Sequence, residues 1–218
     1  MSGGWRSTER DDDGAPPKEA ARASLVGRLG AVRRWLRTRF RSHLGIDARA
    51  LAAFRIALGT LLLVNLALRA RYLSTFYTDA GLFPRSAMAE LYPTAETFSV
   101  HGLFGSASMQ AVLFLVAGLA ALALLVGYRT SLATLVSLGL LVSLHGRNPL
   151  VLNGGALLLR HLLIWAVFLP LGERWGVDAA ARDREPRTRI ASIATAGLLV
   201  QVLLVYVVNA VLKHLGTH

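Results

Sequence analysis

The stretch MQAVLFLVAGLAALALLV, residues 109–126, carries no charged side chain over its whole length. A transmembrane helix needs about 20 consecutive apolar residues to cross the roughly 30 Å hydrocarbon core of a bilayer. The length and composition of this stretch therefore predict a membrane-spanning helix.

Four further segments are apolar enough to be candidate spans. They are residues 50–68, 132–144, 149–171 and 190–212. Arg160 with His161 interrupts the third segment. Arg55 interrupts the first, where we expect its side chain to extend to the cytoplasmic interface. We expect Asn65, deeper in that segment, to hydrogen-bond to another helix. The second segment is short, but the charge-free window around it is just long enough to cross. The predicted fold is all-α: a polytopic membrane helix bundle of about five transmembrane helices.

The overall composition agrees with this class of protein. Hydrophobic residues make up 54% of the chain and charged residues 17%, against about 25% charged in soluble domains. The mean hydropathy is +0.47. Because the chain has no cysteine, disulfide frameworks, thiolate zinc sites and cysteine nucleophiles are excluded. No metal-ligand spacing surrounds the histidines, and we expect no metal site.

The net charge of +11 is concentrated near the N-terminus. Residues 1–22 are polar and rich in Gly and Pro, which predicts a disordered cytoplasmic tail. Residues 23–45 place apolar side chains at helical spacing among arginines, as a basic amphipathic helix on anionic lipids does. A tail helix docked on the protein is the alternative. A nucleic-acid-binding arm is disfavoured because no recognition motif accompanies the arginines. Residues 46–218 form the predicted transmembrane domain.

The distribution of basic residues predicts the orientation in the cell membrane. With the N-terminus in the cytoplasm, 17 Lys and Arg residues fall on the cytoplasmic side and five on the outer side. The positive-inside rule then places the N-terminus inside and, after five spans, the C-terminus outside. The outer connection of residues 69–108 is longer than a hairpin needs, and it predicts a turn and a short interfacial helix.

The segment VYVVNAVLKH near the C-terminus contains the first candidate site. Tyr206, Asn209 and Lys213 fall within about 60° of one helix face. A lysine in a cavity there can act as a general base. A lysine near a helix end can instead extend its ammonium group to the lipid headgroups. Spacing alone leaves both interpretations open.

The segment HGRNPLVLNGGALLLRHLLIW contains the other candidates. Arg147 and Asn153 lie in an outer turn whose composition suits the lining of a cavity. Arg160 and His161 lie in mid-span but point about 100° apart, so they cannot face one partner together. We expect Arg160 to pair with a carboxylate, a polar side chain or helix carbonyls. His161 is either a hydrogen-bonded core histidine or a cavity residue.

Taken together, four segments resemble one known family. They are FRIALGTLLLVNLALR, YTDAGLFPR, HGRNPLVLNGGALLLRHLLIWAVFLPLGERWGVD and NAVLKHLG, and the likeness extends over residues 45–216. The sequence resembles the horizontally transferred transmembrane (HTTM) proteins, prokaryotic relatives of vitamin K-dependent gamma-carboxylase. The resemblance implies a helical membrane domain with a site facing outward. It also implies a reduced quinone such as vitamin K hydroquinone as cofactor, with Lys213 as the base that deprotonates it.

Two features depart from the family pattern. Where the carboxylase has an Asn-His pair, this sequence has Asn153 followed by Gly154. Members of the family continue past the lysine into further helices and a mainly β outer domain, whereas this sequence ends at His218. We therefore expect an N-terminal portion of a longer protein, a degenerate copy, or a split gene product whose outer domain a separate chain supplies. Two function classes follow: part of a quinol-linked carboxylase/epoxidase-like enzyme, or a non-catalytic membrane protein that binds lipid or quinone or serves as an assembly partner.

Overall fold

The computed structural model describes residues 28, 30–32, 45–92, 99–185 and 187–216. The chain divides into two compact units, residues 1–43 and 44–218. The predicted tail of residues 1–22 lies outside the described residues. So does nearly all of the predicted amphipathic helix of residues 23–45, within which residues 28 and 30–32 are helical.

The second unit is mostly helical. In chain order, its described elements are β1 (Ile46–Asp47), α1 (Ala48–Ala70), α2 (Leu73–Tyr77), α3 (Arg85–Leu91), α4 (Ala107–Val126), α5 (Thr130–Arg147), α6 (Gly154–Val167), α7 (Val177–Ala180), β2 (Arg189–Ile190) and α8 (Ile193–His214), with 3₁₀ turns at His101–Leu103 and Pro149–Val151. The outer connection thus holds α2, α3 and a 3₁₀ turn, which is more structure than the single short helix expected.

A long helix occupies each of the five segments predicted to span the membrane. Three of them, α1, α4 and α8, are long and apolar enough to cross a bilayer, which indicates a membrane protein. Helix α5 has 18 residues and α6 only 14, which correspond to about 27 Å and 21 Å. The number of spans therefore stays a prediction.

Helix α6 is shorter than the predicted segment 149–171 for local reasons. Asn153 caps it, because the Asn153 Oδ1 accepts a hydrogen bond of 2.9 Å from the Ala156 backbone N–H. Pro149 begins a separate 3₁₀ turn upstream. Pro170 follows the C-terminus, and a proline disfavours helical geometry in the residue before it.

The long helices alternate in direction between two ends of the bundle. Strand β1 pairs antiparallel with β2, Ile46 opposite Ile190, so α1 and α8 start together at what we call the strand end. The Asp178 carboxylate accepts hydrogen bonds from the Arg129 and Thr130 backbone N–H groups, which brings the α4–α5 turn to the same end. We call the opposite end, formed by residues 71–92, 99–106 and 145–153, the loop end.

Packing is uneven among the helices. Helices α1, α4 and α5 pack closely, and a Cβ added at Gly59 of α1 would lie 2.8 Å from the Leu125 Cα of α4. Helix α8 packs mainly against α6. Only 11% of the apolar window of α8 is buried, against 33% for α1 and for α4. The last helix is thus largely uncovered by the described part of the chain.

Candidate functional site

A groove runs along the contact between α6 and α8. Its volume is about 960 Å³. Most of the wall is aliphatic, including Leu157, Leu158, Val200 and Leu204. Four polar or amphipathic side chains interrupt this surface: His161, Trp165, Gln201 and Asn209.

Two of these side chains keep a free hydrogen-bonding atom after their protein contacts. The His161 Nδ1 lies 2.7 Å from the Leu157 carbonyl, so Nδ1 carries the proton and donates it. In the neutral ring Nε2 then holds the lone pair and can accept. The Gln201 Oε1 accepts from the Trp165 indole N–H, which leaves the Gln201 amide N–H₂ as donor.

The far end of the groove is polar as well. The Asn209 Nδ2 donates to the Val205 carbonyl at 2.8 Å, which leaves its Oδ1 as acceptor. Gly154 and Gly155 line the groove at the start of α6. The first N–H groups of a helix have no intrahelical partner, and glycine leaves them uncovered by a side chain. The groove therefore offers donors and acceptors at several points along a mainly apolar wall.

The structure brings together only some of the residues predicted for a site. His161 and Asn209 share the groove. Tyr206 and Lys213, predicted to share a cavity with Asn209, do not line it, and Tyr206 is 74% exposed. Lys213 is exposed one turn beyond Asn209. Its role as base remains a prediction.

Asn153 and Arg160 lie outside the groove. Besides capping α6, Asn153 lines a crevice of about 250 Å³ together with Arg69, Tyr72 and Tyr77. Arg160 is half-buried on α6, close enough to His145 of α5 for its charge to act on that ring. The expected ion pair or carbonyl contact of Arg160 is absent from the hydrogen bonds and ion pairs of the described residues.

Arg147, predicted to line a cavity, is instead buried in an ion cluster at the loop end. It is fully buried and donates to the Phe83 carbonyl at 3.0 Å. It also forms a 3.4 Å ion pair with the Asp79 carboxylate, which pairs with Arg85 at 2.7 Å. The hydrogen bond from Arg85 lowers the pKa of Asp79, and the charge of Arg147 acts in the same direction. Sequence reasoning did not single out Asp79 or Arg85, although YTDAGLFPR contains both.

A second buried network, centred on His101, lies beside this cluster. Ser143 Oγ of α5 accepts the His101 backbone N–H at 2.9 Å and lies 2.7 Å from the His101 Nδ1. Gln110 of α4 donates to the His101 carbonyl. Burial, with a contribution from the charge of Arg147, lowers the pKa of His101 to about 4. Sequence reasoning did not single out this histidine, which was noted only as part of HGLFG.

Two expectations for α1 were wrong. Arg55 does not extend its side chain to the membrane interface: it is fully buried, and its guanidinium donates to the backbone carbonyls of Arg174 and Trp175 at the strand end. Asn65 bonds within its own helix, accepting from the Arg69 Nε at 2.9 Å. Arg55 thus bonds to backbone carbonyls where lipid headgroups were expected. Asn65 bonds within its own helix where another helix was expected.

No cluster of three or more His, Cys, Asp or Glu with the geometry of a metal site occurs among the described residues. Comparison with models of protein families, with curated proteins and with solved structures finds no match to this chain. The resemblance to the HTTM family therefore remains a prediction from the sequence.

Proposed function

We propose that this chain is a multi-pass membrane protein whose groove between α6 and α8 binds an amphipathic, lipid-like molecule, with isoprenoid quinones as the favoured class. The observation that carries the proposal is the groove itself. Its volume of about 960 Å³ lies within the range of ligand sites, and its walls are mainly apolar with a few polar atoms. An isoprenoid or acyl chain matches the aliphatic wall.

The polar atoms of the groove favour a quinone over a simple hydrocarbon. A quinone ring carries carbonyl acceptors, and the reduced form carries hydroxyl donors. The Gln201 amide supplies N–H donors, and the His161 Nε2 and Asn209 Oδ1 supply acceptors. Both redox forms therefore find partners in the same groove. The HTTM resemblance implies a reduced quinone independently of this geometry.

The proposed topology has five crossings, with the N-terminus in the cytoplasm and the C-terminus outside the cell membrane. The alternating direction of α1, α4, α5, α6 and α8 supports an odd number of crossings. The 17 to five distribution of basic residues supports the orientation. Residues 23–45 would then lie on the cytoplasmic leaflet, where anionic lipids attract arginines.

Quinone binding can be tested by fluorescence, because Trp165 lines the groove. The other three tryptophans, Trp5, Trp35 and Trp175, are replaced by phenylalanine, and the full chain is placed in lipid nanodiscs. A short-chain menaquinone is titrated. We expect saturable quenching of Trp165, because a quinone in the groove lies close to the indole ring.

Matched Val→Phe substitutions on α8 give the control. Val200 lines the groove, whereas Val202 is exposed on the same helix and does not. Val200→Phe fills the groove and should weaken binding by about tenfold or more, equivalent to about 1.4 kcal/mol. Val202→Phe should bind as the parent does. Equal binding by the two variants, or quenching that never saturates, contradicts the proposal.

A second candidate function is a quinol-linked enzyme with Lys213 as base. The observation in its favour is that Lys213 follows Asn209, a groove residue, by one helical turn on the same face. In this scheme Lys213 takes a hydroxyl proton from bound hydroquinone, and molecular oxygen is the oxidant.

Two substitutions of Lys213 separate the base from a membrane anchor. Quinol-dependent oxygen consumption in membranes should be lost in both Lys213→Ala and Lys213→Arg, because a guanidinium stays protonated and cannot act as a base. An anchoring lysine tolerates arginine, so activity retained in Lys213→Arg would exclude the base. Unchanged menaquinone binding in both variants would leave the binding proposal standing.

A further inference from the structure

A small enclosed cavity lies inside the bundle, away from the groove. Its volume is about 10 Å³, close to that of one water-sized probe. Helices α1, α4 and α5 and the 3₁₀ turn at His101–Leu103 form its wall. Most of the lining is leucine and alanine, and three polar residues face it: Asn65, His101 and Ser137.

Two of these residues bring an unpaired buried atom to the cavity wall. The His101 Nε2 and the Ser137 Oγ have no hydrogen-bond partner within the described ranges. His101 is 1% exposed and Ser137 is 4% exposed. A buried polar atom without a partner costs about 1–3 kcal/mol. Both residues line the same cavity, so a single group bound in it can partner both atoms.

The protonation of the His101 ring follows from its contacts. The Ser143 Oγ already accepts the His101 backbone N–H, and its own hydroxyl hydrogen is free to donate to the His101 Nδ1. In a neutral imidazole one nitrogen donates and the other accepts. With Nδ1 as acceptor, Nε2 carries the ring proton and acts as a donor toward the cavity.

We infer that one buried water molecule lies in this cavity, accepts a hydrogen bond from the His101 Nε2–H and hydrogen-bonds the Ser137 Oγ. Buried waters make about three hydrogen bonds to otherwise unpaired groups, and Asn65 supplies a third polar neighbour. Asn65 also lines the open crevice beside Arg69. The water links His101 to α5 inside the bundle.

Proton-detected solid-state NMR of the full chain in bilayers tests this inference. Histidine is labelled with ¹⁵N, and His101→Gln identifies the His101 signals among the six histidines. We expect a protonated Nε2 whose proton shows a cross peak to water. Ser137→Val replaces the hydroxyl by methyl groups that fill the cavity, and it should abolish the cross peak.

Two further variants complete the design. Ser131 is exposed on the same helix, so Ser131→Val should keep the cross peak at its original intensity. If Ser137→Val fails to fold, Ser137→Ala removes the second partner of the water and should at least halve the intensity. A bare Nε2 in the parent protein, an Nε2–H without a water cross peak, or full intensity in the Ser137 variant that folds would each overturn the inference.

Discussion

The loop end and the groove differ in how their polar groups are satisfied. At the loop end, the Asp79 carboxylate pairs with both Arg85 and Arg147, and Arg147 also donates to a backbone carbonyl. In the groove, His161 and Asn209 bond to their own helices, and each keeps an acceptor atom without a partner among the described residues. Internally paired groups hold neighbouring segments in one arrangement, whereas free atoms along an apolar groove are available to a ligand.

The same contrast appears in the packing. Helix α8 is mostly exposed, and α1 and α4 are in close contact at Gly59 and Leu125. Without a hydrophobic driving force between helices in lipid, close van der Waals packing and hydrogen bonds drive their association. We therefore expect substitutions at the loop end and in the α1–α4 contact to affect stability, and substitutions on α8 to affect binding.

The largest effect is expected from removing the carboxylate at the loop end. Asp79→Asn leaves the Arg147 guanidinium, which is fully buried, without its opposite charge. The Asp79 side chain is 37% exposed, so the pair is only partly buried, and the loss of hydrogen bonds to a charged group costs about 2–3 kcal/mol. The free energy of unfolding, measured by denaturant titration in detergent micelles, should fall by that order.

Two further variants make this result specific to the cluster. Asp183 is exposed at the strand end and forms no ion pair among the described residues, so Asp183→Asn should change the unfolding free energy by less than about 0.5 kcal/mol. Adding Arg147→Met to Asp79→Asn should recover part of the loss, because the buried charge that the Asp79 carboxylate balanced is then removed as well. If the losses in unfolding free energy from the two single substitutions simply add in the double variant, the two residues do not interact.

Three Gly→Ala substitutions compare the helix contacts directly. A Cβ at Gly59 would meet the backbone of Leu125, which cannot move aside, so Gly59→Ala should cost about 2 kcal/mol. A Cβ at Gly197 of α8 would meet the Trp165 ring, a side chain that can rotate, and the cost should be smaller. Gly118 faces open space, so Gly118→Ala should stabilise α4 by up to about 1 kcal/mol. Thermal unfolding in micelles measures all three, and equal costs at Gly59 and Gly197 would contradict the contrast in packing.

The sequence predicted the helices far better than it predicted the site. Apolar segments, two of them interrupted by charged residues, located α1, α4, α5, α6 and α8, because local hydrophobicity depends on composition alone. The ion cluster joins Asp79 to Arg147, 68 positions away, and no local periodicity relates residues so far apart. Arg55 was misjudged for the same reason: its carbonyl partners, Arg174 and Trp175, are supplied by a distant loop. His161 and Asn209 were both predicted as candidates. Their position in one groove depends on the packing of α6 against α8, which the sequence pattern does not show.

A smaller effect should appear in the pH dependence of stability. The pKa of His101 is about 4 in the folded protein, below the usual 6.5 of histidine, so the unfolded chain binds the proton more tightly. The contribution of His101 to the free energy of unfolding is therefore complete above pH 6.5, and it is lost as the pH falls toward 4. For this one group, the unfolding free energy changes by at most about 1.4 kcal/mol per pH unit. His101→Gln should reduce the slope over this range, and an unchanged slope would show that His101 is accessible to protons in the folded state.

The smallest effect on stability is expected at Lys213, at the exposed end of α8, and there the informative quantity is topology. Lys213→Arg should change the unfolding free energy by less than about 0.5 kcal/mol, since the side chain is exposed. The chain has only two lysines, Lys18 and Lys213, which lie near opposite termini.

A membrane-impermeant amine reagent applied to intact cells therefore reports the sides of both termini at once. With five crossings and a cytoplasmic N-terminus, mass spectrometry should find the label on Lys213 and none on Lys18 until the membrane is permeabilised. Lys213→Arg should then remove the labelling of intact cells, which assigns the signal to that side chain. Labelling of both lysines would require an even number of crossings, and the shortest helix, α6, would be the first candidate for a segment that does not cross. The groove between α6 and α8 would in that case not lie along the bilayer normal, and the quinone-binding proposal would need a different geometry.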